Sequence, residues 1–290
     1  MSNPGALKAK IAERGLIRAI AAHSPLSALL AEEAGFDAIW ASGFELSALY
    51  GLADMSLVTM TQHLDMLRAM AGRVSLPIIA DIDTGFGNAI NVIHAVREYE
   101  RAGAAAVVIE DKTFPKVTSL VAGGRQDLVR IEEFEGKIEA AVASRTDPGF
   151  LVIARTEALI AGLGEEEALA RAAAYEAAGA DMILIHSKRQ TPEEIESFVR
   201  AWRGNAPLVL VPTSYPDLDE KRIRALGRIA VVIYGNHGLR AAVTAMRDAF
   251  RRIIADGSAE SVSKNIASVE DIFGLQDMDA EKASERRFLK

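Results

Sequence analysis

Apolar residues in this chain come in short unbroken runs rather than in alternation. A run that is apolar at consecutive positions fits a strand buried on both faces, as in a parallel sheet. Several runs follow the same phrase, an Ala-rich helix end and then a glycine. The phrase appears as Ala34-Gly35-Phe36-Asp37-Ala38-Ile39-Trp40, Ala102-Gly103-Ala104-Ala105-Ala106-Val107-Val108 and Ala178-Gly179-Ala180-Asp181-Met182-Ile183-Leu184, with a looser copy at Leu226-Gly227-Arg228-Ile229-Ala230-Val231-Val232. Glycine just past a helix adopts the left-handed conformation cheaply. Repeated helix–Gly–strand units mean repeated βα modules. The spacing predicts strands at Arg18–Ala22, Ala38–Ala41, Ile78–Asp81, Ala105–Glu110, Leu151–Arg155, Met182–His186, Leu208–Val211 and Ile229–Tyr234. That is the number a closed βα barrel needs, so the expected fold class is α/β, a (β/α)8 TIM-type barrel.

Helix starts carry their own marks. Ser24-Pro25 and Thr191-Pro192 each set a capping hydroxyl before a proline at the first helical position. Glu194, three residues after Thr191, completes a predicted capping box. Glu165, Glu166 and Glu167 sit where a helix macrodipole favours acid. No linker divides the chain, and residues 1–290 are expected to form a single barrel domain. After the eighth unit comes a tail, Ser258–Lys290, with Ile266, Val269, Ile272 and Phe273 at helical spacing. A barrel needs no ninth layer, so this apolar face is expected to pack on a neighbouring subunit.

Composition narrows the function classes. With 290 residues and 50% hydrophobic content, one large core is within reach. The net charge of -7 argues against a nucleic-acid binder. The chain has no cysteine, which excludes disulfides, thiolate zinc sites and cysteine nucleophiles. Residues 1–17 have no signal-peptide core and no apolar run is long enough to span a membrane. A cytoplasmic protein with no membrane partner is the expectation.

The candidate chemistry lies at the strand ends, where barrels of this kind place their active sites. Read in order, the tips are Trp40-Ala41-Ser42-Gly43, Asp81-Ile82-Asp83, Glu110-Asp111-Lys112, Arg155, His186-Ser187-Lys188 and Asn236-His237. Charge at the end of a buried strand is expensive unless paired or bound to metal. Asp81, Asp83 and Glu110 make an oxygen-only set suited to magnesium or manganese. Arg155, at the end of so apolar a strand, needs an anion nearby. Asp111 and Lys188 are equally well read as solvating their strand ends. Gly85-Phe86-Gly87 lacks the third glycine of a dinucleotide motif, and no Walker loop is present. The histidines form no zinc pattern: His63 and His94 read as helix-surface residues, and His23 as a neighbour of the Ser24 cap.

These ordered motifs, together with Glu110-Asp111-Lys112 to Lys116-Val117-Thr118-Ser119 and Arg155-Thr156-Glu157-Ala158, resemble the phosphoenolpyruvate mutase and isocitrate lyase superfamily along nearly the whole chain, and its mutase branch in particular. The resemblance implies a magnesium-bound α-keto or enolate substrate at the barrel mouth, with manganese or cobalt as possible substitutes. It implies Asp81 as the direct metal ligand, with Asp54, Asp83 and Glu110 acting through ordered waters. Trp40, Ser42, Gly43, Asp54 and Ser119 would line the substrate site, Ser42 and Gly43 at its carboxylate. Arg155 and His186 would meet phosphoryl or carboxylate oxygens. Residues 111–130 would form a gating loop carrying Lys116 and Thr118. Relatives exchange a C-terminal helix between subunits and assemble as homodimers or homotetramers, which would account for the tail.

Two departures sharpen the expected reaction. The carbon–carbon lyases of the superfamily carry a cysteine in a Lys-x-Cys-Gly-His pattern, where this chain has Lys116-Val117-Thr118-Ser119. Mutases carry Asn at the place of Thr118. A threonine hydroxyl there can position a water or itself receive the phosphoryl group. The expected reaction is magnesium-dependent hydrolysis of the phosphorus–carbon bond of 3-phosphonopyruvate to pyruvate and phosphate through a metal-stabilised enolate, with Thr118, Lys116, Arg155 and His186 as the catalytic set. The alternatives are the mutase interconversion of phosphoenolpyruvate and phosphonopyruvate, carbon–carbon hydrolysis or lysis of a keto acid, and a non-catalytic binding module.

Overall fold

Strands β1 (Ile17–Ala22), β2 (Ala38–Ala41), β3 (Ile78–Asp81), β4 (Ala106–Glu110), β5 (Leu151–Thr156), β6 (Met182–Ile185), β7 (Leu208–Leu210) and β8 (Ile229–Tyr234) close into one barrel in chain order. Every pairing is parallel, and β1 joins both β2 and β8 to seal the ring. The computed structural model describes residues 4–119, 121 and 123–289. Of the expected 111–130 loop, Leu120 and Ala122 therefore lie outside the described residues. Each strand end falls within one residue of its sequence-based position.

Consecutive side chains on a strand point to opposite faces, and the barrel sorts them into two apolar layers. Ala19, Trp40, Ile79, Val108, Ile153, Leu184, Val209 and Ile233 pack together in the barrel interior. Their chain neighbours Ile39, Ile78, Val107, Val152, Ile183, Leu208 and Val232 join the layer between sheet and helices, with Val92, Phe134, Tyr175 and Phe198 from the helices. Both faces of the sheet are thus dry, which is why the strands read as unbroken apolar runs.

The recurring glycine does the work its position predicts. Gly35, Gly103 and Gly179 have φ of +82°, +97° and +100°, a region costly for any residue with a Cβ. Each turns the chain out of a helix and into the next strand.

Ser24 caps the helix Pro25–Glu33: its hydroxyl accepts from the Ser27 backbone N–H at 3.2 Å. The predicted box at Thr191 does not form. The helix Glu193–Ala201 starts one residue later, with Pro192 in the cap position and no side-chain cap. Glu194 is drawn instead to the Ser187 hydroxyl, from which it accepts a hydrogen bond. Glu165, Glu166 and Glu167 do occupy the first turn of the helix Gly164–Ala177.

The chain divides into two compact units, Met1–His237 and Gly238–Lys290. The second begins earlier than the expected tail at Ser258. It contains most of the helix His237–Asp256 and the shorter helices Glu260–Ser263, Val269–Leu275 and Met278–Phe288. Val262 is buried, whereas Phe250, Ile254, Ile266, Val269, Ile272 and Phe273 are exposed. No helix among the described residues is long and apolar enough to cross a membrane.

Asp37, buried at the start of β2, ties the N-terminal side of the barrel together. It accepts from the Arg18 backbone N–H at 3.0 Å and from Arg18 Nε at 2.9 Å, and it pairs with Arg14. Burial pushes its carboxyl up, but the Arg18 hydrogen bonds and the Arg14 charge outweigh that and hold it below the usual range. A carboxyl depressed in the folded state stabilises fully above its unfolded pKa, about 3.9, and the gain is lost as pH falls through the folded value. Asp37→Asn is therefore expected to lower stability by about 1–2 kcal/mol at pH 7, since the arginines are half-exposed and screened. The deficit shrinks below about pH 4. Urea unfolding of both proteins at pH 7 and pH 3.5 checks this.

Candidate active site

The alternation that fills the barrel interior also selects what reaches its mouth. Following the inward positions of β3 past Ile79 gives Asp81. On β4, Ala106 and Val108 lead to Glu110; on β5, Leu151 and Ile153 lead to Arg155; on β6, Met182 and Leu184 lead to His186. On β2, Ala38 and Trp40 lead to Ser42. Residues from distant parts of the chain thus converge on one cavity, lined by Trp40, Ser42, Asp54, Asp81, Lys116, Thr118, Ser119, Arg155 and His186.

One side of the site is acidic. Asp81, Asp83 and Glu110 are all buried, and burial pushes all three carboxyls above their ordinary values. Lys116 reaches in from the loop after β4, with Nζ 3.0 Å from Asp54 Oδ1 and 2.8 Å from Asp83 Oδ1. Burial opposes its charge, but Asp83, Glu110, Asp54 and Asp81 outweigh that and hold the ammonium's pKa well above normal. Among the described residues, no three His, Cys, Asp or Glu side chains are gathered closely enough to cage an ion by themselves. The set Asp81, Asp83 and Glu110 is therefore not a three-carboxylate cage. It does fit a magnesium ion held by one carboxylate, waters and substrate oxygens. Glu110 Oε1 is buried without a hydrogen-bond partner, so the site has acceptor capacity to spare. Gly43 keeps the cradle open: a Cβ there would stand 3.1 Å from Asp83 Oδ1 and 3.5 Å from Asp81 Oδ2.

The other side is cationic and organised by Glu157, two residues beyond Arg155 and fully buried. Its Oε1 accepts from Arg155 Nε; its Oε2 accepts from the Ser119 hydroxyl at 2.6 Å and lies 3.2 Å from Lys112 Nζ. Burial alone would raise this carboxyl, but Arg155 and Lys112 hold it well below the usual range. Arg155 also lies 3.5 Å from Glu110 Oε2 and donates from Nη2 to Ser119 Oγ at 3.0 Å. The anion that the sequence demanded near Arg155 is thus Glu157, with Glu110 behind it. His186 Nδ1 stands 3.2 Å from Arg155 Nη2. The same nitrogen lies 3.6 Å from Glu157 Oε1. Burial lowers the His186 pKa, leaving a neutral imidazole at neutral pH. The positive charge of this wall is therefore that of Arg155 and Lys112.

Thr118 lines the cavity, and its hydroxyl has no protein partner among the described residues, while its backbone carbonyl accepts from Gln126 Nε2 at 3.1 Å. Gly43, Asp83 and Glu110 stand behind the cavity wall and not on it. Sequence reasoning passed over Phe44, Val211, Thr213 and Gly235, which complete the wall. Val211 and Gly235 continue the inward positions Val209 on β7 and Val231 and Ile233 on β8, a parity that strands apolar on both faces do not display in the sequence.

Three readings change. His63 is not a helix-surface residue: it is buried with Asp81 nearby, and burial pushes it down to about 4. Its ring meets Phe86 edge-on. Asp111 neither solvates a strand end nor faces the cavity. It falls on the outward parity of β4 and accepts from Tyr175 Oη at 2.7 Å, Arg171 Nη1 at 3.2 Å and the Glu157 backbone N–H at 2.9 Å. Lys188 donates to the Ile160 carbonyl at 2.7 Å. His94 is exposed as expected, and His23 pairs with buried Glu45 at 2.8 Å.

A closed eight-stranded barrel with buried acids facing a cationic wall at its C-terminal mouth defines a (β/α)8 enzyme for a small anionic substrate. The phosphoenolpyruvate phosphomutase family model matches residues 7–254, and the chain belongs to that family. It is 57% identical over 290 residues to phosphonopyruvate hydrolase of Variovorax sp. (strain Pal2), covering 100% of both chains. A crystal structure of phosphonopyruvate hydrolase in complex with oxalate and Mg2+ matches with a TM-score of 0.94 at 56% identity, covering 100% of both chains. A phosphoenolpyruvate phosphomutase structure from Streptomyces platensis subsp. rosaceus matches with a TM-score of 0.97 at 47% identity, covering 99% of this chain and 100% of that one.

The two neighbouring acids at the end of β4, Glu110 and Asp111, are expected to separate by experiment. Asp111→Ala strands three buried donors and lowers stability by about 3 kcal/mol. Glu110→Gln relieves a crowded acid cluster and changes stability by less than about 1 kcal/mol, while removing activity. Thermal unfolding of both variants beside a turnover assay checks the contrast.

Proposed function

We propose that this enzyme hydrolyses the phosphorus–carbon bond of 3-phosphonopyruvate, releasing pyruvate and phosphate, with a magnesium ion held at Asp81. The observation that carries the reading is Thr118. It presents an uncommitted hydroxyl in a cavity shared with Asp81, Lys116, Arg155 and His186. The similarity to a phosphonopyruvate hydrolase over the whole chain supports it.

The substrate's carboxylate and keto oxygen face the acid side, with Ser42 at the carboxylate. Asp81 would hold the magnesium ion directly, with Asp83, Glu110 and Asp54 acting through waters, and the bound ion would stabilise the negative charge that builds on the keto oxygen. Arg155 and Lys116 face the phosphoryl oxygens, where catalysis consists largely of positioning and charge. Neutral His186 borders the same oxygens. The phosphorus–carbon bond breaks with its electron pair passing to the three-carbon fragment. An oxygen from water bonds to phosphorus, with the Thr118 hydroxyl as the group that positions that water or first receives the phosphoryl. A proton on the methylene carbon completes pyruvate. Residues 113–119 of the loop after β4 close over the cavity and regulate water entry. The exposed apolar faces of the second unit pack against another copy of the chain in a homodimer or homotetramer, by exchange of the helical tail.

Phosphorus NMR of phosphonopyruvate with the protein and magnesium is expected to show inorganic phosphate, abolished by a chelator. Phosphoenolpyruvate in place of phosphate would overturn the hydrolytic reading in favour of the mutase. Arg155→Ala should lose about 10²–10³ in kcat. Thr118→Asn should release less phosphate and return more phosphoryl to the enolate oxygen, read as a new phosphoenolpyruvate signal.

A further inference from the structure

We infer that Glu157 is a latch: it holds the Thr118 segment in place through Ser119 and Lys112, and so couples the position of that segment to the orientation of Arg155. The inference deepens the proposed function and rests on it only for its kinetic consequence.

The geometry is specific. The Ser119 hydroxyl donates to Glu157 Oε2 at 2.6 Å and accepts from Lys112 Nζ at 2.7 Å and Arg155 Nη2 at 3.0 Å. A hydroxyl has one donor and two acceptor positions. All are taken by protein, so Ser119 lines the cavity with nothing left to offer a substrate. Lys112 Nζ also donates to the Val117 carbonyl at 2.9 Å. The residues on both sides of Thr118 are therefore tied to the Glu157 carboxylate, Ser119 directly and Val117 through Lys112. Thr118 itself contributes no side-chain bond to the arrangement. Its place is set by its neighbours.

The same carboxylate orients Arg155 through Nε. Glu157 is held in turn from behind, where its backbone N–H donates to Asp111 Oδ1 at 2.9 Å. With the loop displaced, Glu157 loses Ser119, and Arg155 Nη2 loses its Ser119 acceptor in the same event. A buried carboxylate left short of donors is costly, so the closed segment and the oriented guanidinium stabilise each other. Glu157 does not itself line the cavity but stands behind Ser119 and Arg155, which do. It is a positioning residue, not a catalytic one.

The test is hydrogen–deuterium exchange of the full-length protein without substrate, on Ser119→Ala, Ser119→Thr and Glu157→Gln, beside kcat and the magnesium activation constant. Ser119→Ala and Glu157→Gln should exchange the peptide 113–119 about tenfold faster, with the barrel strands unchanged. Ser119→Thr keeps the hydroxyl and should restore protection. In the two loosened variants kcat falls by about 10–100-fold, while magnesium dependence moves by less than about threefold. Unchanged exchange at 113–119, loosening spread evenly over the strands, or Ser119→Thr as loose as Ser119→Ala would overturn the latch. A normal kcat beside faster exchange would overturn its link to turnover. Should Glu157→Gln not fold, the two Ser119 variants decide alone. Exchange needs no substrate, so it reads the latch even if phosphonopyruvate is not turned over.

Discussion

The structure depends on one constraint, the two-residue alternation of side chains around a closed parallel barrel. Closure removes every free edge and fixes which face of each strand looks inward. Once Ile79, Val108, Ile153 and Leu184 fill the interior, Asp81, Glu110, Arg155 and His186 follow at the mouth without further choice. A slip of one residue would exchange the whole inward set for the outward one. The interior core and the site are one construction, read at different heights along the same strands.

That geometry brings charges together in a place where none is cheap to bury. The molecule answers by alternating sign. Lys116 stands between Asp54 and Asp83, and Arg155 lies between Glu110 and Glu157. Lys112 sits against Glu157 with a neutral histidine nearby. Each ion sits near the opposite sign, so few are free to drift. Order at this mouth comes from electrostatics, while the helix–sheet layer below it is ordered by packing.

Much of this was legible before any coordinates. The barrel and its strand positions followed from unbroken apolar runs and from glycines at helix ends, because both are local consequences of a doubly buried parallel sheet. The strand-tip residues of the site were legible for the same reason. What the sequence hid was parity. With both faces of each strand apolar, hydrophobicity carries no two-residue rhythm, and Glu110 and Asp111 look alike. Only the closed ring separates an acid facing the cavity from one bonded to Tyr175 and Arg171. The part played by Glu157 was hidden by distance, since its partners Lys112 and Ser119 lie on another βα unit. His63 and the Thr191 cap were misread from local pattern alone, one overruled by tertiary burial and the other by a helix that starts a residue late.

The freedom of the Thr118 side chain has a consequence for how such an enzyme changes over generations. Its neighbours carry the structural bonds of the loop, and Thr118 carries none with its side chain. A substitution there is nearly silent for folding, and under the proposed reaction it falls where the fate of the phosphoryl group is decided. Selection can therefore try new reaction outcomes at this position without first acquiring compensating stability. Under the proposed reaction, hydrolysis and return of the phosphoryl group part at this loop position, with the barrel left as it is.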